Sequence, residues 1–380
     1  MKKPMVLVLA LLGVGCVSRS ILEMSMEQRL VAQVHERGLP LDQVTVPFSL
    51  TPEMRKWAHE HVPAVGGADL KLDMLLRALL STDGGVRLVY ESGFTGTAAE
   101  VFASGRANCL AFTHTFVGFA REVGIDAYYM RVDEVNSYFK AGDLIVASGH
   151  ITAGYGSPGQ RKVLDFTEQP VGPYHTLRPI SDLTAVALFH SNRGAEILRE
   201  GKLAESRRWL EVAVRLDPDL PDGWVNLGVV RRRLGDLDGA EEAYRRALEA
   251  DPQQAAAYQN LAALVDLRGR SREAKELLAL LEQVKSRNPF SYIALGDLNL
   301  QEGRLDDAER FYRRALRLDP QQAESYAALG EWAATKGRSR DAHRFFRQAA
   351  KLDPANERTR RLAERLGESL PSTPNGSSTR

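Results

Sequence analysis

The sequence predicts two architectures in series: an α+β domain over residues 48–180 and an all-α solenoid of helical hairpins over residues 187–356. Two observations predict the pair. A helical segment gives way after residue 124 to short strand-like runs that alternate apolar and polar residues. From about residue 187, glycines, alanines, aromatics and prolines then return every 34 residues, the period of a stacked array.

The first fifteen residues are not fold. Lys2 and Lys3 precede an apolar run over 5–12 that is too short to span a bilayer. It ends in Gly13-Val14-Gly15-Cys16. Residues 16–47 read as a linker and an N-terminal helix. The chain has 380 residues, two cysteines and a net charge of +1. Neither half concentrates the basic residues that a nucleic-acid surface needs, so nucleic acid is not an expected partner.

Residues 48–81 read as two helices. Thr51 caps the first with Pro52 at its first position. Leu70, Leu72, Met74, Leu75, Leu76, Leu79 and Leu80 make the second largely buried. A strand follows over 86–90, then a short helix from Thr97 that Gly105 ends. Asn108 reads as an N-cap, which puts Cys109 in the first turn of a helix running to about Glu122. A thiol there meets the positive end of the helix dipole, which favours the reactive thiolate. Strands are expected over 125–132, 144–155 with His150 inside, and 161–166. In the last, alternation sets Asp165 opposite Leu164 and Phe166. An acid in an apolar strand needs a partner, and His150 on the preceding strand is the natural one.

The array shows its full pattern in Trp224, Leu227, Gly228, Gly235, Ala240, Tyr244, Ala247 and Pro252. The units from 289 and 323 repeat it. The unit from 255 has Ala262 for the glycine and Ser286 for the proline, and the unit from 187 is degenerate at its front. Five units are expected, then a capping helix over 357–369 and a disordered tail over 370–380. This is the tetratricopeptide repeat pattern, which implies protein or peptide partners on a concave face drawn from the first helix of each unit. Here that face includes Val225, Val229, Arg232, Gln259, Asp266, Asp297 and Glu331.

Two further resemblances carry function. The segment ending at Cys16 resembles the lipobox of bacterial lipoproteins, with Gly13 where leucine is usual. It implies lipidation of Cys16 and a place in the cell envelope, at the outer membrane facing the periplasm. Arg106-Ala107-Asn108-Cys109, Gly124-Ile125-Asp126-Ala127, His150 and Val163-Leu164-Asp165 together resemble the transglutaminase-like superfamily, with Ala107 where glycine is usual. That resemblance implies a papain-like core in which Cys109 is the nucleophile, His150 the base and Asp165 the group that orients it. The implied activity is a membrane-anchored thiol enzyme acting on peptide or isopeptide bonds, with the repeats binding partners or substrate. The alternative is a catalytically inactive binding module that works with the repeats as a periplasmic scaffold. No cofactor is expected, and no His or Cys has metal-ligand spacing. His114 lies about 140° round the helix from Cys109 and is not expected to face the thiol.

Overall fold

A computed structural model describes residues 26–81, 85–91, 93–141, 144–156, 162–164, 176–284 and 286–371, with side chains for all of these except 133–137, 139, 141 and 147–150. Cys16, Asp165 and the tail from residue 372 lie outside the described residues.

Helix α1 (Met26–Glu36) sets Leu30 and Val34 on the core. Helix α2 (Pro52–His61) starts where the sequence places it: Thr51 Oγ1 accepts from the Met54 amide at 3.2 Å. Helix α3 (Ala68–Leu80) buries Leu72, Leu75, Ala78 and Leu79. Its apolar surface is narrower than expected, because Leu70 and Leu80 are exposed. A helix lying on a core from one side buries a stripe, not its whole circumference. Of the strand expected over 86–90, only β1 (Val89–Tyr90) is regular. Helix α4 (Ala98–Ser104) carries a capping box between Thr97 and Glu100, and Gly105 ends it at a φ of 69°. Strand β2 (Arg106–Ala107) pairs in parallel with β1.

Helix α5 (Cys109–Glu122) is the centre of the domain. Every residue from Leu110 to Ala120 is buried, so it is wrapped on all sides rather than amphipathic. It packs on an antiparallel sheet of order β5-β4-β3-β6, formed by β3 (Ala127–Ala141), β4 (Leu144–Tyr155), β5 (Lys162–Leu164) and β6 (Leu177–Ile180). Ile151, Ala153 and Tyr155 of β4 share one apolar cluster with α5. Two features differ from the sequence reading. Strand β3 runs on to Ala141 instead of ending at Val132, and β6 lies in a stretch where no strand is expected. The extension of β3 pairs across a tight hairpin with the start of β4, Ala141 opposite Leu144, while β6 pairs with residues 129–132, a partner distant in sequence that local alternation does not report.

The array starts with α6 (Asp182–Arg199) and α7 (Leu203–Leu216), and continues in pairs: α8 (Pro221–Arg233) with α9 (Leu237–Ala250), α10 (Ala255–Leu267) with α11 (Ser271–Gln283), α12 (Pro289–Gln301) with α13 (Leu305–Leu318), and α14 (Ala323–Thr335) with α15 (Ser339–Leu352). Helix α16 (Glu357–Leu366) closes it. The hairpin turns fall at Gly201, Gly235, Gly269, Gly303 and Gly337, whose φ values of 75–84° only glycine adopts without strain. Between units, the Asp217, Asp251, Asp319 and Asp353 carboxylates each accept from an amide two residues on. At the third boundary Ser286 does this instead, accepting from Asn288. Helix α6 explains the degenerate front of the first unit. Its Leu183 and the run from Ala185 to Phe189 belong to the cluster around α5, so they match the domain and not a preceding repeat. Arg121 of α5 ties the two together with paired 2.8 Å bonds to Asp182.

The unit from 255 shows why one position is coupled to another. A Cβ on Gly228 would strike the Tyr244 ring, and one on Gly296 the Tyr312 ring. Where the aromatic is replaced by Leu278, the glycine is replaced by Ala262, and the two pack in one cluster. Gly228→Ala is therefore expected to cost about 1–3 kcal/mol by overpacking, and Gly228→Ala with Tyr244→Leu to recover most of it. Urea denaturation of the two variants checks this; a neutral single substitution would refute it.

Candidate active site

Cys109 is a free, half-buried thiol at the first position of α5. The sequence sets that helix start locally. Asn108 is extended, and its Oδ1 accepts from the Ala111 amide at 2.8 Å. This satisfies one of the orphan amides of the first turn.

The cap is itself held from outside. Asn108 Nδ2 donates to Thr95 Oγ1 at 2.7 Å. Thr95 is buried, and its hydroxyl and amide donate to the Glu196 carboxylate at 2.5 and 3.0 Å. Arg193 Nη1 donates to the Thr95 carbonyl at 3.3 Å. Burial pushes the Glu196 carboxyl up, and the bonds from Thr95 and the charges of Arg193 and Arg199 pull it back. Glu196 and Arg193 are on α6, the first helix of the array, so a repeat helix supports the thiol's turn. Sequence reasoning missed Thr95 and Glu196. The one available signal was that the front of this unit departs from the repeat pattern.

The strand that carries His150 packs on α5. His150 lies in β4 with its backbone opposite Val132 of β3. The β3–β4 register shifts at that point: the partner of His150 is Val132, and the partner of Gly149 is Asn136. Such irregularities bend a strand and re-aim a side chain, and they are common beside active sites. Strand β5 pairs with β4 through Leu164 opposite Ala153; Asp165 follows Leu164 and is outside the described residues. The structure thus brings together the helix of Cys109 and the strand of His150.

His114 is engaged in the core. It is wholly buried, with Nδ1 at 2.9 Å from the Tyr129 hydroxyl and rings of Phe48, Tyr129 and Phe189 around it. Burial, with the charge of Arg121 adding to it, pushes its pKa down to about 3. It is a neutral core histidine.

Part of the expected concave face is taken up within the chain. Val225 and Val229 are buried, and Asp297 and Glu331 bind Arg358 of α16. The hairpin of β3 and β4 lies against α8 and α10.

Comparison with known proteins bears on the array. The tetratricopeptide repeat model matches residues 193–255, and a second such model matches 289–322. Cellulose synthase operon protein C of Xanthomonas axonopodis pv. citri is 42% identical over 89 residues, which is 23% of this chain and 6% of that one. Mouse protein O-mannosyl-transferase TMTC1 is 32% identical over 100 residues, 26% of this chain and 10% of that one. The matched segments are thus a small part of those relatives. Among solved structures, Pseudomonas aeruginosa pilF is 22% identical with a TM-score of 0.42, over 49% of this chain and 85% of that one. A tetratricopeptide repeat protein titled YrrB is 17% identical with a TM-score of 0.33, over 47% and 92%. Residues 193–255 and 289–322 therefore match tetratricopeptide repeats, and the helical hairpins between and after them follow in the same series.

Proposed function

We propose that the chain is a thiol enzyme of the transglutaminase-like kind, in which the repeat array serves the same domain and its protein partners. In this reading Cys109 attacks an amide carbonyl. Its S–H proton passes to the His150 imidazole, the S–C bond forms, and the C–N bond breaks as His150 returns the proton to the leaving amine. Water or a second amine then resolves the thioester, giving hydrolysis or transfer. Asp165 orients His150. Cys16 carries a lipid that holds the chain at a bacterial envelope membrane.

One observation carries the reading: a free thiol at a capped helix start, with that helix packed on the strand that holds His150. In this reading the backbone N–H of Cys109 contributes to the oxyanion hole.

Iodoacetamide alkylation tests it, in a Cys16→Ser background so that Cys109 is the only thiol. At pH 6.5 the His150→Ala variant is expected to react about tenfold more slowly, as a thiol does whose thiolate fraction falls by about one pKa unit when its cationic partner is lost, and Cys109→Ala not at all. Equal rates with and without His150 would sink the enzyme and leave the non-catalytic binding module.

A further inference from the structure

The start of β4, Leu144 to Val146, packs into the groove of the array. Leu144 and Val146 join the apolar cluster of Val229, Val230, Leu261 and Leu264, while Ile145 joins that of Val225 and Ala256. At the same point Asn260 of α10 brackets one residue of the strand: the Ile145 amide donates to Asn260 Oδ1 at 2.9 Å, and Asn260 Nδ2 donates to the Ile145 carbonyl at 2.8 Å. Among the described residues, strand β5 pairs with β4 from Ala153 to Tyr155 and no strand pairs with the outer edge at Ile145. A buried edge with an unpaired amide and carbonyl is costly. The Asn260 side-chain amide turns one of its two N–H donors and its carbonyl oxygen to the strand as a neighbouring backbone would, and it supplies what a pairing strand would have supplied.

Charges anchor the two ends. Lys140 Nζ donates to Glu324 of α14 at 2.6 Å and lies 5.6 Å from the Phe290 ring centre. Arg131 Nη2 meets Asp222 of α8 at 3.3 Å, and Gln254 holds the other oxygen of that carboxylate at 2.8 Å. Asn260, Asp222 and Glu324 are all buried, and they come from three successive or near-successive units.

We infer that the array takes the chain's own β3–β4 hairpin as its groove ligand, and that Asn260 is thereby a positioning residue for the strand that carries His150. The second clause rests on the thiol reading above; the first does not. A protein partner that uses this part of the groove must displace the hairpin, so partner binding and the thiol site are linked through one strand. Helix α6 grips the Cys109 side through Glu196, and α8, α10 and α14 grip the other.

The test uses the full chain and two substitutions on opposite sides of the contact, Asn260→Ala in the array and Lys140→Met in the hairpin. Hydrogen exchange at residues 144–146 reports the hold, exchange in α5 reports that the domain stays folded, and Cys109 alkylation across pH 6–9 reports positioning. Both variants are expected to speed exchange at 144–146 by tenfold or more, leave α5 protected, and move the alkylation profile toward that of His150→Ala. Unchanged exchange at 144–146 in both variants would overturn the groove assignment. Faster exchange with an unchanged alkylation profile would overturn the positioning role. A His150→Ala variant that alkylates like the wild type would sink the thiol reading alone, because the exchange arm decides the groove without it.

Discussion

Between pH 6.5 and pH 4 the protein is expected to lose about 6 kcal/mol of folding stability through two buried histidines. His114 is pushed down to about 3 by burial, with Arg121 adding to it. His190 is pushed down to about 4 by burial, against its bond to the Thr45 backbone. Both therefore remain neutral in the folded chain while the unfolded chain binds a proton at each below about 6.5. The stability is complete above pH 6.5 and falls as the pH drops, by about 1.4 kcal/mol per unit for each group, until the folded values are reached. His114 sits beside Tyr129, and His190 packs on Phe189 and Trp209, so neither can swing into water without opening the core. Glu196, raised by burial, works weakly the other way. Glu241, drawn down to about 2 despite its burial by Arg270 and Arg245, contributes stability that is lost only between about pH 4.5 and pH 2. Urea denaturation from pH 7.5 to 4.5 checks this. The wild type should weaken steeply, and His114→Gln with His190→Gln should flatten the slope. A wild-type slope no steeper than that of the double variant would refute it.

The second large effect is at the end of the array. Replacing Arg358 by alanine is expected to destabilise the last units by about 3 kcal/mol, the cost of leaving buried charge unpaired. The Arg358 side chain is 7% exposed. Its guanidinium donates to Asp297 at 3.0 and 2.6 Å and to Glu331 at 2.9 and 2.5 Å. The Tyr312 hydroxyl donates to the same Asp297 at 2.7 Å, and Arg358 lies 5.6 Å from the Tyr312 ring centre. The cap is therefore not only a polar cover. It returns a cation into the carboxylates of two units, α12 and α14. Combining Arg358→Met with Asp297→Asn and Glu331→Gln should recover most of the loss, because no charge is then left alone. Denaturation that shows the single variant within about 1 kcal/mol of the wild type would contradict this assignment.

Much of the thiol side of the site was legible because its signals are local. Thr51, Thr97 and Asn108 are caps that act within three residues, and Gly105 ends a helix by its own backbone freedom. Those residues alone set Cys109 at a helix start. The second turn of support was not legible. Glu196 reaches Thr95 across 101 residues of sequence, and a glutamate on a repeat helix looks like any solvated acid until the fold buries it. Leu70 and Leu80 failed for the opposite reason: a leucine-rich helix reads as buried all round, and only its neighbours decide which side faces water.

The sequence by itself determined the repeat period, the turns at each glycine of positive φ, the helix caps, and the thiol's place in the first turn of α5. These depend on residues within one or two helical turns, or on copies of the same short pattern. The tertiary structure alone decided what fills the concave face. Asp297, Glu331, Val225 and Val229 all read as concave-face residues; the first two are taken by Arg358, and the valines lie in apolar clusters with the hairpin. Asn260 meets Ile145 over a separation of 115 residues. No periodicity records a contact of that range, because its driving force, a buried strand edge that needs a donor and an acceptor, exists only once the sheet and the solenoid have both formed.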